Sequence, residues 1–272
     1  MKLGDLTVNR LGFGAMRVCG PDVWGWPKDR NGAKKVLVRA FDLGCTFFDT
    51  ADSYGPEVSE LLIAEALHPY ATELVIGTKG GLLRPRASAW VPDGRPEHLR
   101  RAVESSLKRL RLDCIDLYQL HAPDSKVPFA DSVGALADMQ RAGKIRHVGL
   151  SNVSVGQLEA ARRIAPIVSV QNHYNIEDRT HEDVLKACER LGIAFLPWYP
   201  LAAGEALASA AVTRIASRHR ATPAQVALAW LLAKSPVMLP IPGTGSIAHL
   251  EENVAAKNLV LSPDDLAELN RA

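Results

Sequence analysis

Short apolar runs rich in β-branched and aromatic residues alternate along the chain with longer stretches whose hydrophobic positions recur every three to four residues. After a hairpin candidate at Lys2 to Val8, eight such runs predict strands: Leu11 to Gly14, Thr46 to Asp49, Leu74 to Gly77, Ile115 to Leu120, Ile145 to Leu150, Val168 to Gln171, Ala194 to Pro197 and Met238 to Ile241. Segments near 31–43, 57–67, 96–110, 130–142, 154–163, 181–191, 205–219 and 246–257 predict helices between and after them. Continuous apolar runs suit strands covered on both faces, and strands followed by helices of this length imply parallel βαβ units. Eight units close a (β/α)8 TIM barrel of the α/β class. A doubly wound sheet would require a Gly-rich first turn. Gly12-Phe13-Gly14 opens that pattern, but Arg17 stands where its third Gly belongs. Two extra helices are expected near the C-terminus: Pro223 to Lys234, with Thr222 as N-cap and Pro223 at its first position, and Ser262 to Asn270.

Composition narrows the class without changing the fold. The 272 residues are 47% hydrophobic and 23% charged, and no repeat or low-complexity linker divides them, so residues 1–272 read as one barrel domain. With 32 basic against 30 acidic residues the formal charge is +2, too small for a counterion-driven nucleic-acid footprint. Cys19, Cys45, Cys114 and Cys188 lie too far apart for a metal or dithiol motif and are expected as reduced core residues. The N-terminal segment carries no apolar signal region and no run is long enough to span a membrane, which predicts a cytoplasmic chain with no resident metal. A monomer is the expected state.

Barrel enzymes hold their reacting groups at the C-terminal ends of strands and in the loops that follow. There the sequence places Asp49, Tyr54, Lys79 and His121, on three neighbouring strand ends. Taken singly, an Asp before a helix is a turn or cap residue and a Tyr is a packing group. Lys79 is harder to explain as structure, because an ammonium at a barrel mouth needs a carboxylate, and Asp49 on the adjacent strand supplies one. Together the four have a chemical logic. A free tyrosine has a pKa of about 10, and a neighbouring cation lowers it toward use as a proton donor. Lys79 would be that cation, Asp49 its anchor, His121 the group orienting a carbonyl, and Tyr54 the acid that protonates the carbonyl oxygen as hydride reaches carbon.

The sequence resembles the aldo-keto reductases. The resemblance runs from Asn9-Arg-Leu-Gly-Phe-Gly-Ala-Met to Glu251-Glu-Asn and includes Phe48-Asp-Thr-Ala-Asp-Ser-Tyr-Gly, Gly77-Thr-Lys, Asp116-Leu-Tyr-Gln-Leu-His, Gly143-Lys-Ile-Arg-His-Val-Gly-Leu-Ser-Asn, Val170-Gln-Asn-His-Tyr-Asn and Ile241-Pro-Gly. It implies a barrel that binds an extended nicotinamide cofactor without a dinucleotide-binding fold, with Asp49, Tyr54, Lys79 and His121 at the family's four catalytic positions. It further implies that Ser151, Asn152 and Gln171 hold the carboxamide. Trp198 falls where relatives stack a Tyr or Phe on the nicotinamide, though a one-residue shift would give that place to Tyr199. Leu201 and Gly204 match the segment around the pyrophosphate, Gly243, Thr244 and His249 the adenosine phosphate site at a helix N-terminus, and Glu252 and Asn253 the adenine. The family tendency makes NADPH the expected cofactor, while Gly243 and His249, where many relatives carry Lys and Arg, weaken the grip on a 2′-phosphate and leave NADH open.

Substrate clues lie in two long connections, Arg17 to Asp29 with Trp24 and Trp26, and Gly80 to Pro96 with Trp90. Trp residues in such loops suit the wall of a pocket for small aromatic aldehydes, with loop self-packing as the alternative. Within the family, Ala15-Met, Gly20-Pro, Tyr54-Gly-Pro, Ser151-Asn-Val and Ile241-Pro-Gly-Thr are most similar to bacterial pyridoxal reductases, which makes pyridoxal a candidate substrate. Two other functions use the same fold: a non-catalytic NADPH-binding sensor or regulatory subunit, and a Schiff-base lyase with Lys79 as nucleophile.

Overall fold

The computed structural model describes residues 1–202 and 209–271. A two-stranded hairpin, β1 (Lys2–Leu3) and β2 (Leu6–Thr7), precedes the barrel. Seven parallel strands follow: β3 (Phe13–Gly14), β4 (Phe47–Asp49), β5 (Val75–Gly80), β8 (Ile115–Leu120), β9 (Ile145–Ser151), β10 (Ile167–His173) and β11 (Ala194–Trp198), ordered β11-β10-β9-β8-β5-β4-β3. Between β5 and β8 lies a second small hairpin, β6 (Leu82–Leu83) with β7 (Val91–Pro92), which sequence reasoning treated as plain loop.

The eighth expected strand, 238–241, closes the barrel with few ladder bonds. Phe195 donates to the Val237 carbonyl and Leu239 to that of Phe195, both at 2.9 Å, while Gly12 and Gly14 donate to the carbonyls of Pro240 and Pro242 at 2.9 and 3.3 Å. Because prolines 240 and 242 have no N–H, the segment only accepts from β3, and a regular two-way ladder cannot form there. Glycine is required on both sides of this seam: a Cβ at Gly243 would lie 2.3 Å from the Gly14 carbonyl oxygen, and one at Gly14 2.5 Å from that of Ile241. The structure is thus the predicted (β/α)8 barrel with an N-terminal hairpin and extra C-terminal helices.

The barrel interior is layered by the two-residue period of its strands. At the N-terminal end Leu3 and Val8 of the hairpin pack on Phe47, Val75, Leu117, Leu196 and Leu239, plugging that mouth with apolar side chains. Further along the strands inward positions turn polar: Asp49, Lys79, Gln119 and Gln171, all buried. Lys79 pairs with Gln119, while Asp49 stands opposite Gly77 and Gln171 opposite Ser151, so the four form a staggered layer. A hydrophobic floor beneath a buried polar layer directs the chemistry to the C-terminal mouth.

Helices α1 (Arg30–Asp42), α2 (Val58–Leu67), α3 (Pro96–Leu110), α4 (Phe129–Arg141), α5 (Val155–Arg162) and α6 (Glu182–Leu191) return the chain between strands. Their ends follow local chemistry. Asp29 caps α1 through the Gly32 N–H at 2.8 Å, and Ser154 with Gln157 forms a capping box at α5. The apolar stripe of α3, Leu99, Val103, Leu107 and Leu110 among it, faces the sheet. After β11 come α7 (Ala210–His219) and α8 (Pro223–Lys234); positions 205–208, expected within the former, lie outside the described residues. Helix α8 is buried along nearly its whole length, with Trp230 stacked on Tyr174 at 6.1 Å. Helices α9 (Ile247–Ala255) and α10 (Pro263–Arg271) end the chain. One cysteine departs from expectation: Cys114 is exposed in the turn before β8, whereas Cys19, Cys45 and Cys188 are buried. Among the described residues no helix is long and apolar enough to cross a membrane.

Candidate active site

Strands β4, β5 and β8 end side by side, so Asp49, Lys79 and His121 share one rim. The chain after β4 stays on the sheet for three more residues, with Thr50 N donating to the Gly77 carbonyl and Asp52 N to that of Lys79. This turn carries Tyr54 back over Lys79. The Lys79 ammonium donates to Asp49 Oδ2 at 2.6 Å, the Thr50 carbonyl at 2.9 Å and the Tyr54 hydroxyl oxygen at 3.3 Å, which uses its three protons. The His121 ring stands edge-on to Tyr54 with centroids 5.8 Å apart, and its Nδ1 lies 3.3 Å from Ser53 Oγ.

Burial decides the proton states. It pushes the Tyr54 hydroxyl up; Lys79 opposes the rise without reversing it, and Asp49 adds to it. The expectation that the cation would bring this tyrosine down is therefore corrected, because desolvation outweighs the ammonium. Burial presses Lys79 down, but Asp49 and Tyr54 together more than offset it and hold its pKa above the ordinary lysine value. A lysine kept charged and ion-paired is a poor Schiff-base nucleophile. Burial, and secondarily the charge of Lys79, drives His121 well below the usual histidine range, so it is neutral.

Of the support beneath this group sequence reasoning named only Gln171, for the carboxamide, and missed the rest. Asp49 Oδ1 accepts from Gln119 Nε2 at 3.2 Å and from Gln171 Nε2 at 2.8 Å, and Ser169 Oγ donates to Gln119 Oε1 at 3.4 Å. Thr50 donates to Ser59 Oγ at 2.7 Å, which donates to the Ala15 carbonyl, tying the Tyr54 turn to the residue after β3. Behind β5, buried Glu60 accepts from Thr78 Oγ1 at 2.6 Å and Arg109 Nε at 2.5 Å. The inward period of β8 and β10 was the available signal for Gln119 and Ser169.

From Asp49 and Tyr54 a cleft of about 580 Å³ runs across the barrel mouth to α9. Gln171, Trp198, Tyr199 and Leu201 line its middle; Gly243, Thr244, His249, Glu252 and Asn253 line its far end. Trp198 is backed by His173, with centroids 4.4 Å apart, and its Nε1 donates to Asn152 Oδ1 at 3.0 Å. Asn152, in a left-handed conformation at φ 59°, donates to the His121 carbonyl at 3.0 Å and to Ser151 Oγ at 3.1 Å. Ser151 and Asn152 thus stand between His121 and Trp198. Gly204 lies outside the described residues. The Gly14 contact explains why Gly243 carries no cation: no side chain fits against that carbonyl. Arg17, noticed in the sequence only for breaking a glycine pattern, lines the cleft near Thr244 and Gly245.

The loop tryptophans divide. Trp90 stands edge-on to Tyr54 at 6.4 Å, and Arg84 lies over both Trp90 (3.7 Å) and Trp24 (5.5 Å). Trp26 stacks instead on Arg30 at the start of α1, at 3.9 Å, and takes no part in that group.

Residues 10–272 match the aldo/keto reductase family. The chain is 50% identical over 272 residues to an uncharacterized oxidoreductase of Schizosaccharomyces pombe, covering 99% of this chain and 88% of that protein. It is 45% identical over 274 residues to pyridoxine 4-dehydrogenase of Escherichia coli, covering 98% of this chain and 96% of that one. A thermostable aldo-keto reductase solved with the inhibitor epalrestat superposes with a TM-score of 0.87 at 32% identity over 100% of this chain and 98% of its own. An aldo/keto reductase from Klebsiella pneumoniae in complex with NADP and acetate gives 0.82 at 28% identity over 97% and 91%. The match of family, sequence and fold over nearly the full length is decisive: the chain is an oxidoreductase of the aldo/keto reductase family.

Proposed function

We propose that the protein interconverts a small aldehyde or ketone and its alcohol with NADPH, Tyr54 supplying the proton and Lys79, Asp49 and His121 preparing it. The observation that carries this reading is the single ammonium of Lys79 bonded at once to Asp49, the Thr50 carbonyl and Tyr54, at one end of a cleft of about 580 Å³ whose lining reaches α9.

The cleft residues suit NADPH. The flat face of Trp198, backed by His173, is a stacking surface, and the amides of Asn152 and Gln171 with Ser151 Oγ match the donors and acceptors of a carboxamide. At the far end the N-terminus of α9, capped by Ser246, offers backbone N–H groups to a phosphate, with Arg17 and His249 beside it. Bound there, NADPH would deliver hydride to the carbonyl carbon. Tyr54, neutral because it is buried, gives its proton to the carbonyl oxygen, and the ammonium of Lys79 stabilises the phenolate left behind. Neutral His121 fixes the carbonyl oxygen by hydrogen bonding without competing for the proton. Asp49 keeps Lys79 charged and in place.

The aromatic surface beside Tyr54 and the likeness to pyridoxine 4-dehydrogenase favour small aromatic or heteroaromatic aldehydes, pyridoxal among them. The test is loss of reduced-nicotinamide absorbance with NADPH or NADH against pyridoxal, benzaldehyde and propanal, in wild type and Tyr54→Phe. The substitution should cut turnover by roughly two to four orders of magnitude while NADPH binding persists. Full activity in Tyr54→Phe would remove Tyr54 from the reaction, and NADPH binding without turnover of any carbonyl would favour the sensor reading.

A further inference from the structure

Arg84 is buried although it belongs to the loop after β5 and makes no salt bridge among the described residues. Its guanidinium does two things at once. In its plane, Nη1 donates to the Val23 carbonyl at 3.3 Å, and Nη2 donates to the Asp22 carbonyl at 3.0 Å and to that of Ala87. The guanidinium also lies over the rings of Trp90 at 3.7 Å and Trp24 at 5.5 Å. Nε is buried and has no partner among the described residues. That loss is understandable if the plane is oriented for stacking rather than for maximal hydrogen bonding, and only a planar cation can stack on one residue while donating sideways to others.

Two of the three carbonyls that Arg84 holds, those of Asp22 and Val23, belong to a constrained turn. Asp22 and Val23 both sit at φ 56°, in the left-handed region, which a β-branched residue rarely enters. The turn leads directly to the site. Val23 O accepts from Gly55 N at 3.2 Å, Gly25 N donates to the Gly55 carbonyl, and Trp24 bridges Gly55, the residue after Tyr54. On its other side Arg84 sets Trp90, whose ring meets Tyr54 edge-on at 6.4 Å. One side chain therefore joins two loops, about sixty residues apart in sequence, on either side of Tyr54.

We infer that Arg84 is a positioning residue for substrate selection: by clamping the 22–23 turn and stacking on Trp90 and Trp24 it holds an aromatic wall beside Tyr54 that favours flat aromatic aldehydes over aliphatic ones. The inference rests on Tyr54 being the reacting centre. It assigns Arg84 no contact with the carbonyl; its action passes through Trp90.

Two variants separate plane from charge. Arg84→Lys keeps the charge and loses the plane, and Arg84→Met keeps much of the apolar stem and loses both. For each, kcat and KM are measured with pyridine-4-carboxaldehyde and with propanal, binding of pyridine-4-carboxaldehyde is followed by quenching of tryptophan emission, and NADPH affinity and Tm report the rest of the molecule. The ratio of kcat/KM for the aromatic over the aliphatic aldehyde should fall about tenfold in both variants, through KM and not kcat, and the quenching should weaken in parallel. Rescue of the ratio by Lys, or an equal loss on both aldehydes, overturns the inference. If wild type binds the aromatic aldehyde and turns over neither, the proposed reaction fails. The quenching difference between wild type and Arg84→Lys then still decides the role of Arg84.

Discussion

The Asp49 carboxylate and the Lys79 ammonium meet at 2.6 Å with almost no solvent access to either. Such a pair is weak ground for stability, since each charge loses its hydration, yet removing one member leaves the other buried and uncompensated. Asp49→Asn should therefore destabilise the protein by about 3–5 kcal/mol in denaturant unfolding and abolish most turnover. Adding Lys79→Met to Asp49→Asn removes the stranded charge, and the double variant should regain part of that stability while staying inactive. A double variant no more stable than Asp49→Asn would show that the loss does not come from the stranded charge of Lys79.

His121 gives a pH signature with a definite sign. Its folded-state pKa is depressed by burial and by Lys79, below the 6.5 of an unperturbed histidine. Below that value the unfolded chain binds a proton at this position that the folded protein does not, so stability falls as pH drops and is level above it. The slope reaches at most about 1.4 kcal/mol per pH unit for one group. As the pH falls below about 6.5, wild type should lose stability on acidification faster than His121→Gln. Parallel curves for the two proteins would mean that the imidazole is protonated in the fold.

The barrel was legible because its strands announce themselves twice, as apolar runs and as the spacing between helices. Asp49, Lys79 and His121 were legible for a related reason: each directly ends a strand, and a barrel places strand ends together. What the sequence hid depends on contacts between distant segments. Gln119 looks like one polar break in an apolar strand until the register of β8 against β5 sets it beside Asp49. Arg84 reads as a loop cation until the 22–23 turn is folded against it. Gly243 looked like a missing phosphate ligand, and its constraint is the Gly14 carbonyl across the closing seam. The state of Tyr54 was misjudged because a charged neighbour is visible in sequence and the degree of burial is not.

Trp198 carries two contacts that substitution can separate, its ring against the cleft and its Nε1 bond to Asn152. Trp198→Phe keeps a flat face and releases Asn152; Trp198→Ala removes both. Stacking of aromatic rings contributes about 0.5–1.5 kcal/mol, so NADPH affinity should weaken about tenfold in Trp198→Ala and only about threefold in Trp198→Phe, read from titration of cofactor fluorescence. An unchanged affinity in Trp198→Ala together with a loss in Tyr199→Ala would move the stacking role to Tyr199, which lines the same cleft.

The cofactor's phosphate end turns on His249, in the first turn of α9 and facing the cleft with Thr244. Closure of the barrel excludes a side chain at Gly243, so a stronger grip on a 2′-phosphate has to come from elsewhere on this wall. His249→Arg places a permanent, forked donor there, and a hydrogen bond to a charged group contributes about 1.5–3 kcal/mol. The variant should raise the preference for NADPH over NADH, measured as the ratio of kcat/KM values, at least about tenfold, with NADH nearly unaffected. Because the gain is electrostatic and partly exposed, it should shrink as salt is raised from 0.01 to about 0.5 M. An equal improvement with both cofactors would place the new cation on the pyrophosphate instead, and would assign discrimination of the 2′-phosphate to other residues of the cleft, Arg17 first among them.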